Sequence, residues 1–302
     1  MKETLKVSLL SEYAQLLLEH SCDYRKLKSG TDSIINIEID TDSDVFSRIG
    51  SIDKMLFEKY KSGLFTSWTF CRNYTHQELN SARLFQINIR KWFNDSCGKE
   101  HGTVYDHSYA CPICHSGERQ VSPLHLPKGR YMLHRDVIIT LGYEVVVSKR
   151  FADMCKASNL KGLTFGPVYF GKTLSQEYFQ LMEEGTTLEV SPETKFGVDP
   201  WNYSEKGPTL QFNNELLSLW KDGIEIYKCP KGDNLGLNIL SEAYVKDSSV
   251  ISEYDFFISR QTYGVYRGLA VPHHLLFCSP IMRQLIIDNN IKGFDFEIAH
   301  VV

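Results

Sequence analysis

Val145-Val-Val-Ser-Lys-Arg-Phe-Ala-Asp-Met-Cys-Lys-Ala-Ser-Asn-Leu-Lys-Gly-Leu-Thr-Phe165 and Leu276-Phe-Cys-Ser-Pro-Ile-Met-Arg-Gln-Leu-Ile-Ile-Asp-Asn-Asn-Ile-Lys-Gly-Phe-Asp-Phe296 are two versions of one pattern. Aligned without a gap, Ser148, Asn159, Lys161, Gly162 and Phe165 fall on Ser279, Asn290, Lys292, Gly293 and Phe296, and apolar positions fall on apolar ones. The chain therefore carries an internal duplication. In each copy a short apolar run has the length of a buried strand, and the Ser after it can accept from the free N–H groups of a helix start. Pro280 suits the first helical position, where its missing N–H costs nothing. Phe151, Met154 and Cys155, like Met282, Leu285 and Ile286, mark one buried helical face. Gly162 and Gly293 are read as ending the helix before a second strand.

Working outward, the same order extends upstream. Cys111 precedes the strand-like run Asp136-Val-Ile-Ile-Thr much as Cys229 precedes Asp255-Phe-Phe-Ile-Ser, and each run leads to its copy of the pattern. Cys111-Pro-Ile-Cys114 is a knuckle, two thiolates two residues apart that can face one tetrahedral zinc ion. The other half of the site has two sources. Cys97 and His101 complete a local set, with His107 and His115 also within reach. Cys229 and Asp233, in Cys229-Pro-Lys-Gly-Asp233, supply a remote one if the two modules face each other, with a carboxylate in place of the second thiolate.

With these features in place, the chain resembles the double-CXXCG family and related immunity proteins of bacterial polymorphic or contact-dependent toxin systems. The likeness rests on Cys111 to His115, Val145 to Val168, Cys229 to Asp233 and Asp255 to Ala299, and covers roughly the last two-thirds of the chain. His115 stands where the family's first knuckle has Gly, and the second knuckle lacks its second Cys. The resemblance implies a non-enzymatic, cytoplasmic protein that neutralises a cognate toxin by direct contact, with zinc in a structural role.

Composition sets the outer limits. The 302 residues are 42% hydrophobic and 23% charged with a net charge of −4, an ordinary globular composition that gives no support to a nucleic-acid partner. No apolar run is long enough for a membrane span or a signal peptide, so a cytoplasmic protein is expected. Eight cysteines are too sparse for a disulfide scaffold, and Cys155 and Cys278 read as small core residues.

Residues 1–95 read as an N-terminal α/β region. Leu9 to His20 has helical periodicity, Ser29 to Ser33 reads as a loop, Ile34 to Asp40 alternates like a half-exposed strand, and Asp40-Thr-Asp-Ser-Asp reads as a helix-capping turn. Thr75-His-Gln-Glu78 heads a capped segment that leads into Phe85-Gln-Ile-Asn-Ile. In the loop Lys195 to Pro208, Trp201 and Tyr203 are anchors of the type found in interfaces. His273-His274 reads as the start of a strand, and with no G-x-S-x-G elbow, no H-E-x-x-H and no assembled triad, no catalytic residue is assigned.

The expected architecture is α+β: the N-terminal region 1–95, a first knuckle and repeat module over 96–170, and a second, degenerate one over 171–302, paired around a zinc-ribbon-like site of Cys111, Cys114, Cys229 and Asp233. A zinc-stabilised regulatory or phage-defence adaptor, or a zinc-dependent enzyme, are the alternatives to toxin immunity.

Overall fold

The computed structural model describes residues 1–13, 15, 17, 28–30, 34–60, 64–93, 96–111, 115–128, 135–197, 200–201, 233–235, 238–264 and 271–302. It is a mixed α+β protein, rich in strands, that divides into two compact units: Met1–Ser81 with Gly197–Gln211, and Ala82–Phe196 with Phe212–Val302. No described helix is long and apolar enough to cross a membrane.

In the first unit, β1 (Lys2–Leu10), β2 (Lys28–Gly30), β3 (Ile34–Asp40) and β4 (Phe65–Asn73) form an antiparallel sheet in the order β2-β3-β1-β4. The alternation read in Ile34 to Asp40 is real: Ile35, Ile37 and Ile39 are buried and the residues between them point outward. Ser43 accepts from the N–H of Phe46 and starts α1 (Asp44–Tyr60), so the acidic turn is a helix cap. Ile49, Ile52 and Leu56 on one side of α1 are buried, the spacing of an amphipathic helix. Thr75 and Glu78 exchange hydrogen bonds, Thr75 N–H to Glu78 Oε2 at 2.7 Å and Glu78 N–H to Thr75 Oγ1 at 3.2 Å, a capping box that starts the short α2 (His76–Ser81).

Two readings of this region change. Leu9 and Leu10 finish β1 rather than open a helix, because Leu9 pairs with Ile35 and is fully buried in the sheet. Ser29 and Gly30 belong to β2, whereas Thr31 to Ser33 lie outside the described residues. Trp201, read as an interface anchor, packs inside this unit: its ring lies on Phe46 and Phe65, and its indole N–H donates to the Phe46 carbonyl at 2.9 Å. Gly50 makes room for it, since a Cβ there would meet the ring at 2.5 Å. Tyr203 lies outside the described residues.

Among the described residues, the second unit contains two large sheets. The chain enters it with β5 (Leu84–Ile89), continues through β6 (Leu124–Leu126), β7 (Val137–Ile139), β8 (Val145–Ser148), α3 (Lys149–Ala157), β9 (Leu163–Phe170) and β10 (Thr173–Glu183), and then through β11 (Thr187–Leu188), β12 (Asn234–Leu235), β13 (Ala243–Val245), β14 (Phe256–Gly264), β15 (His273–Cys278), α4 (Pro280–Asp288) and β16 (Phe294–Val301). The first sheet has the order β7-β8-β10-β9-β6. The second has the order β11-β14-β15-β5-β16-β13, with β12 also beside β14. Both copies of the repeated stretch thus fold as strand, helix, strand: β8-α3-β9 and β15-α4-β16.

The equivalence reaches the pairing register. Val145, Val146 and Val147 face Leu181, Gln180 and Phe179, while Leu276, Phe277 and Cys278 face Ile87, Gln86 and Phe85. The same central residues then face Phe165, Gly166 and Pro167 in one sheet and Phe296, Glu297 and Ile298 in the other. Phe-Gln-Leu of β10 and Phe-Gln-Ile of β5 therefore occupy one position. At the parallel edges, His125 of β6 pairs with and stacks on Tyr169 of β9, and Tyr244 of β13 pairs with and stacks on His300 of β16, the same two rings with strands exchanged. The boundary between the units falls between Ser81 and Ala82, so β5 lies with the repeats and not with the first 95 residues.

Ser148 and Ser279 cap their helices as expected, accepting from the N–H groups of Phe151 and Met282 at 3.2 and 3.1 Å, and Pro280 stands in the first turn. The two glycines do something else. Each helix stops before a left-handed asparagine, Asn159 at φ 51° or Asn290 at φ 50°, three residues ahead of the glycine. Gly162 at φ 87° and Gly293 at φ 110° lie against the strand that precedes the other repeat, where a Cβ would meet the Phe256 carbonyl oxygen at 2.3 Å or Val137 Cγ1 at 2.8 Å.

Candidate functional site

The residue heading each of those strands ties the repeats together. Asp136 accepts from the Ser148 hydroxyl at 2.9 Å and, across the repeats, from the backbone N–H of Lys292 at 2.8 Å. Asp255 accepts from the Ser279 hydroxyl at 2.7 Å and from the backbone N–H of Lys161 at 3.0 Å. Burial pushes the Asp136 carboxyl up, but the Arg150 guanidinium, the Lys292 N–H and the Ser148 hydroxyl together hold it below the usual range.

The short ribbon Tyr105–Asp106 with Arg119–Gln120 carries the loop between its strands. Cys111 is buried, its N–H donates to the Ser116 carbonyl, and its own carbonyl accepts from the His115 N–H. His115 holds φ 61°, a left-handed conformation, without being a glycine.

Asp233 arrives at this loop. It is buried, one carboxylate oxygen accepting from the Ser116 hydroxyl and the other from the backbone N–H of Thr262 at 2.9 Å. Cys114 and Cys229 lie outside the described residues. Among the described residues no three His, Cys, Asp or Glu side chains form a group that could hold a metal ion. Cys97 is buried, and burial pushes its thiol up; His101 is exposed, with Nε2 2.8 Å from the Ser96 hydroxyl. Cys155 and Cys278 are core residues, the burial of Cys155 pushing its thiol up to about 12.

Beside the knuckle loop a cleft of about 740 Å³ opens within the second unit. Glu118 lies on its wall with a side chain only 9% exposed; Lys99 holds Oε2, and Oε1 is 3.1 Å from His107 Nδ1 and 3.4 Å from His115 Nδ1 without a hydrogen bond to either. Glu144 is saturated instead: it accepts from the Gly98 N–H, the Tyr105 hydroxyl and the Thr140 hydroxyl. Gln120 and Gln180 exchange amide hydrogen bonds at 2.9 and 2.7 Å. Farther along, Tyr143 at φ 62° stacks on His273 with centroids 3.5 Å apart, and Trp92 meets Tyr143 edge-on at 5.4 Å. His273 opens β15, as the sequence implies, and its burial beside Tyr263 lowers its pKa to about 3.

Sequence reasoning missed this cleft, because its walls come from segments far apart in the chain. The tripeptide shared by β5 and β10 was the one available clue to their equivalence. No protein-family model matches the chain, and no curated protein sequence matches it.

Proposed function

We propose that the chain is a toxin-immunity protein, a non-enzymatic binder kept in the producing cell's cytoplasm, in which two duplicated modules pair around a structural zinc site and exchange their central strands. The observation that supports this reading most directly is Asp233 bonded to Ser116. Asp233 thus stands beside Ser116, next to the first knuckle, an arrangement that suits paired knuckles of the double-CXXCG kind. The buried Cys111 and the left-handed His115 suit a knuckle, and Cys111, Cys114, Cys229 and Asp233 are the residues that would hold the metal. Zinc there would fasten two segments distant in the chain to one another. Affinity for the toxin would come from a few buried anchors within a charged rim.

The test is rescue. Cells expressing the reading frame that neighbours this gene should die without the protein and survive when it is co-expressed, and the two chains should co-purify; survival without the protein, or death with it, rejects the reading. Metal analysis addresses the site separately: about one zinc per chain is expected, lost in Cys111→Ser and weakened in Cys229→Ser. Zinc retained in both variants removes the paired-knuckle site.

A further inference from the structure

The 740 Å³ cleft lies in the size range of ligand sites. Its walls carry three buried polar atoms with no hydrogen-bond partner: Glu118 Oε1, Thr262 Oγ1 and His273 Nδ1. Thr262 is only 2% exposed. Leaving such atoms unpaired costs free energy, and native proteins seldom do so without a bound group. All three can accept: a carboxylate oxygen, a hydroxyl oxygen and the nitrogen of an imidazole whose surroundings keep it neutral. Nearby, the non-glycine Tyr143 is held at φ 62°, a backbone strain that brings its ring against His273. Trp92, 45% exposed, offers an aromatic surface at the rim.

Charge narrows the ligand. The acids on the wall are Glu118, Glu144 and Glu183, the bases Lys99 and Arg119 together with His115, His273 and His274, and Glu118 Oε1 has the imidazoles of His107 and His115 at 3.1 and 3.4 Å. Lys99 already holds one oxygen of Glu118, and Glu144 is saturated. What remains is a set of acceptors with an aromatic surface and a surplus of negative charge. A planar cation that only donates hydrogen bonds and stacks on rings complements it, and among protein groups that is the guanidinium of arginine.

We propose that this cleft receives an arginine side chain of the partner protein, with Glu118 as its carboxylate and Trp92 as its stacking face. The proposal rests on the toxin-binding reading for the identity of the partner, but the guanidinium site itself can be tested without it.

The probe is N-acetyl-arginine N-methylamide, titrated into the full chain by calorimetry, with the citrulline analogue as the uncharged control of similar shape. The arginine probe should bind at least about tenfold more tightly than the citrulline one, and Glu118→Gln should weaken it by about tenfold or more. Trp92→Ala, at an exposed ring whose loss leaves the core intact, should weaken it by about threefold or more. Equal binding of the two probes, or none, overturns the guanidinium site. So does full affinity in both variants. In the rescue assay, Glu118→Gln should reduce protection; undiminished protection overturns the assignment of the cleft to the toxin. If the wild-type protein gives no rescue while the arginine probe binds as described, the immunity reading fails and the guanidinium site stands.

Discussion

The Asp136 and Asp255 clamps share a serine hydroxyl, a backbone N–H from the opposite repeat and a closely approaching glycine, yet only one carries a cation. Arg150, in the first turn of α3, donates to Asp136 and to the carbonyls of Asn289 and Asn290; the residue in its place on α4 is Ile281, 64% exposed. A cation reappears elsewhere in both halves, over two phenylalanines on adjacent strands of the sheet. Lys156 lies over Phe165 and Phe179, and Arg283 over Phe85 and Phe296, one helical turn apart in the alignment. The comparison teaches that the backbone contacts define the pairing, while the charged side chains around them have drifted.

The most disruptive way to break the symmetry is to fill the close approaches. Gly162→Ala should cost about 3 kcal/mol and Gly293→Ala about 2 kcal/mol, because both sites need positive φ but the first Cβ meets a backbone oxygen and the second mainly a methyl group. Urea unfolding measures both, and the reverse order would show that the packing side chain, not the carbonyl, sets the cost.

The carboxylates come next. Asp136→Asn should cost about 2 kcal/mol and Asp255→Asn about 1 kcal/mol, since only the first also loses a guanidinium partner. Asp136 titrates lower in the folded chain than its ordinary 3.8. The unfolded chain therefore binds the proton first, and this share of stability is complete above about pH 4 and falls away as acid is added. Replacing Arg150 by Ile, as in the other half, should flatten that acid-side slope in a series of urea melts between pH 5 and pH 2.5; an unchanged slope would place its origin at other carboxylates.

The gentlest probe is the exchanged ring pair. His125→Tyr or Tyr169→His alone should cost about 0.5 kcal/mol, and the two together should recover most of it, because Tyr244 on His300 already shows the reversed arrangement in the same sheet position. A double substitution as costly as the two singles added would mean that the rings are not interchangeable.

How far the sequence could be read followed the range of the interactions. Helix starts were legible, because a serine cap, a proline and a capping box act within four residues. The role of Gly162 and Gly293 was not, because their constraint is a strand distant in the chain, whereas Asn159 and Asn290, which do end the helices, were visible in the alignment but given no role. The exchange of β5 and β10 was hidden because three residues of similarity are too few to assert a match. In the candidate site, the spacing of Cys111 and Cys229 suggested that the two knuckles could meet if the modules pair, and Asp233 does lie against Ser116. The cleft was not legible, since no single segment of the chain contains it.

The central position of β5 has a consequence for how the molecule is made. Translation delivers this strand early, yet both of its neighbours, β15 and β16, arrive only after the whole first sheet has been synthesised. Until then its unpaired backbone N–H and C=O groups stand open to mispairing, a hazard that grows with the sequence distance to be closed. A ribosome paused before the last strands would hold a chain whose first sheet can close while its second cannot.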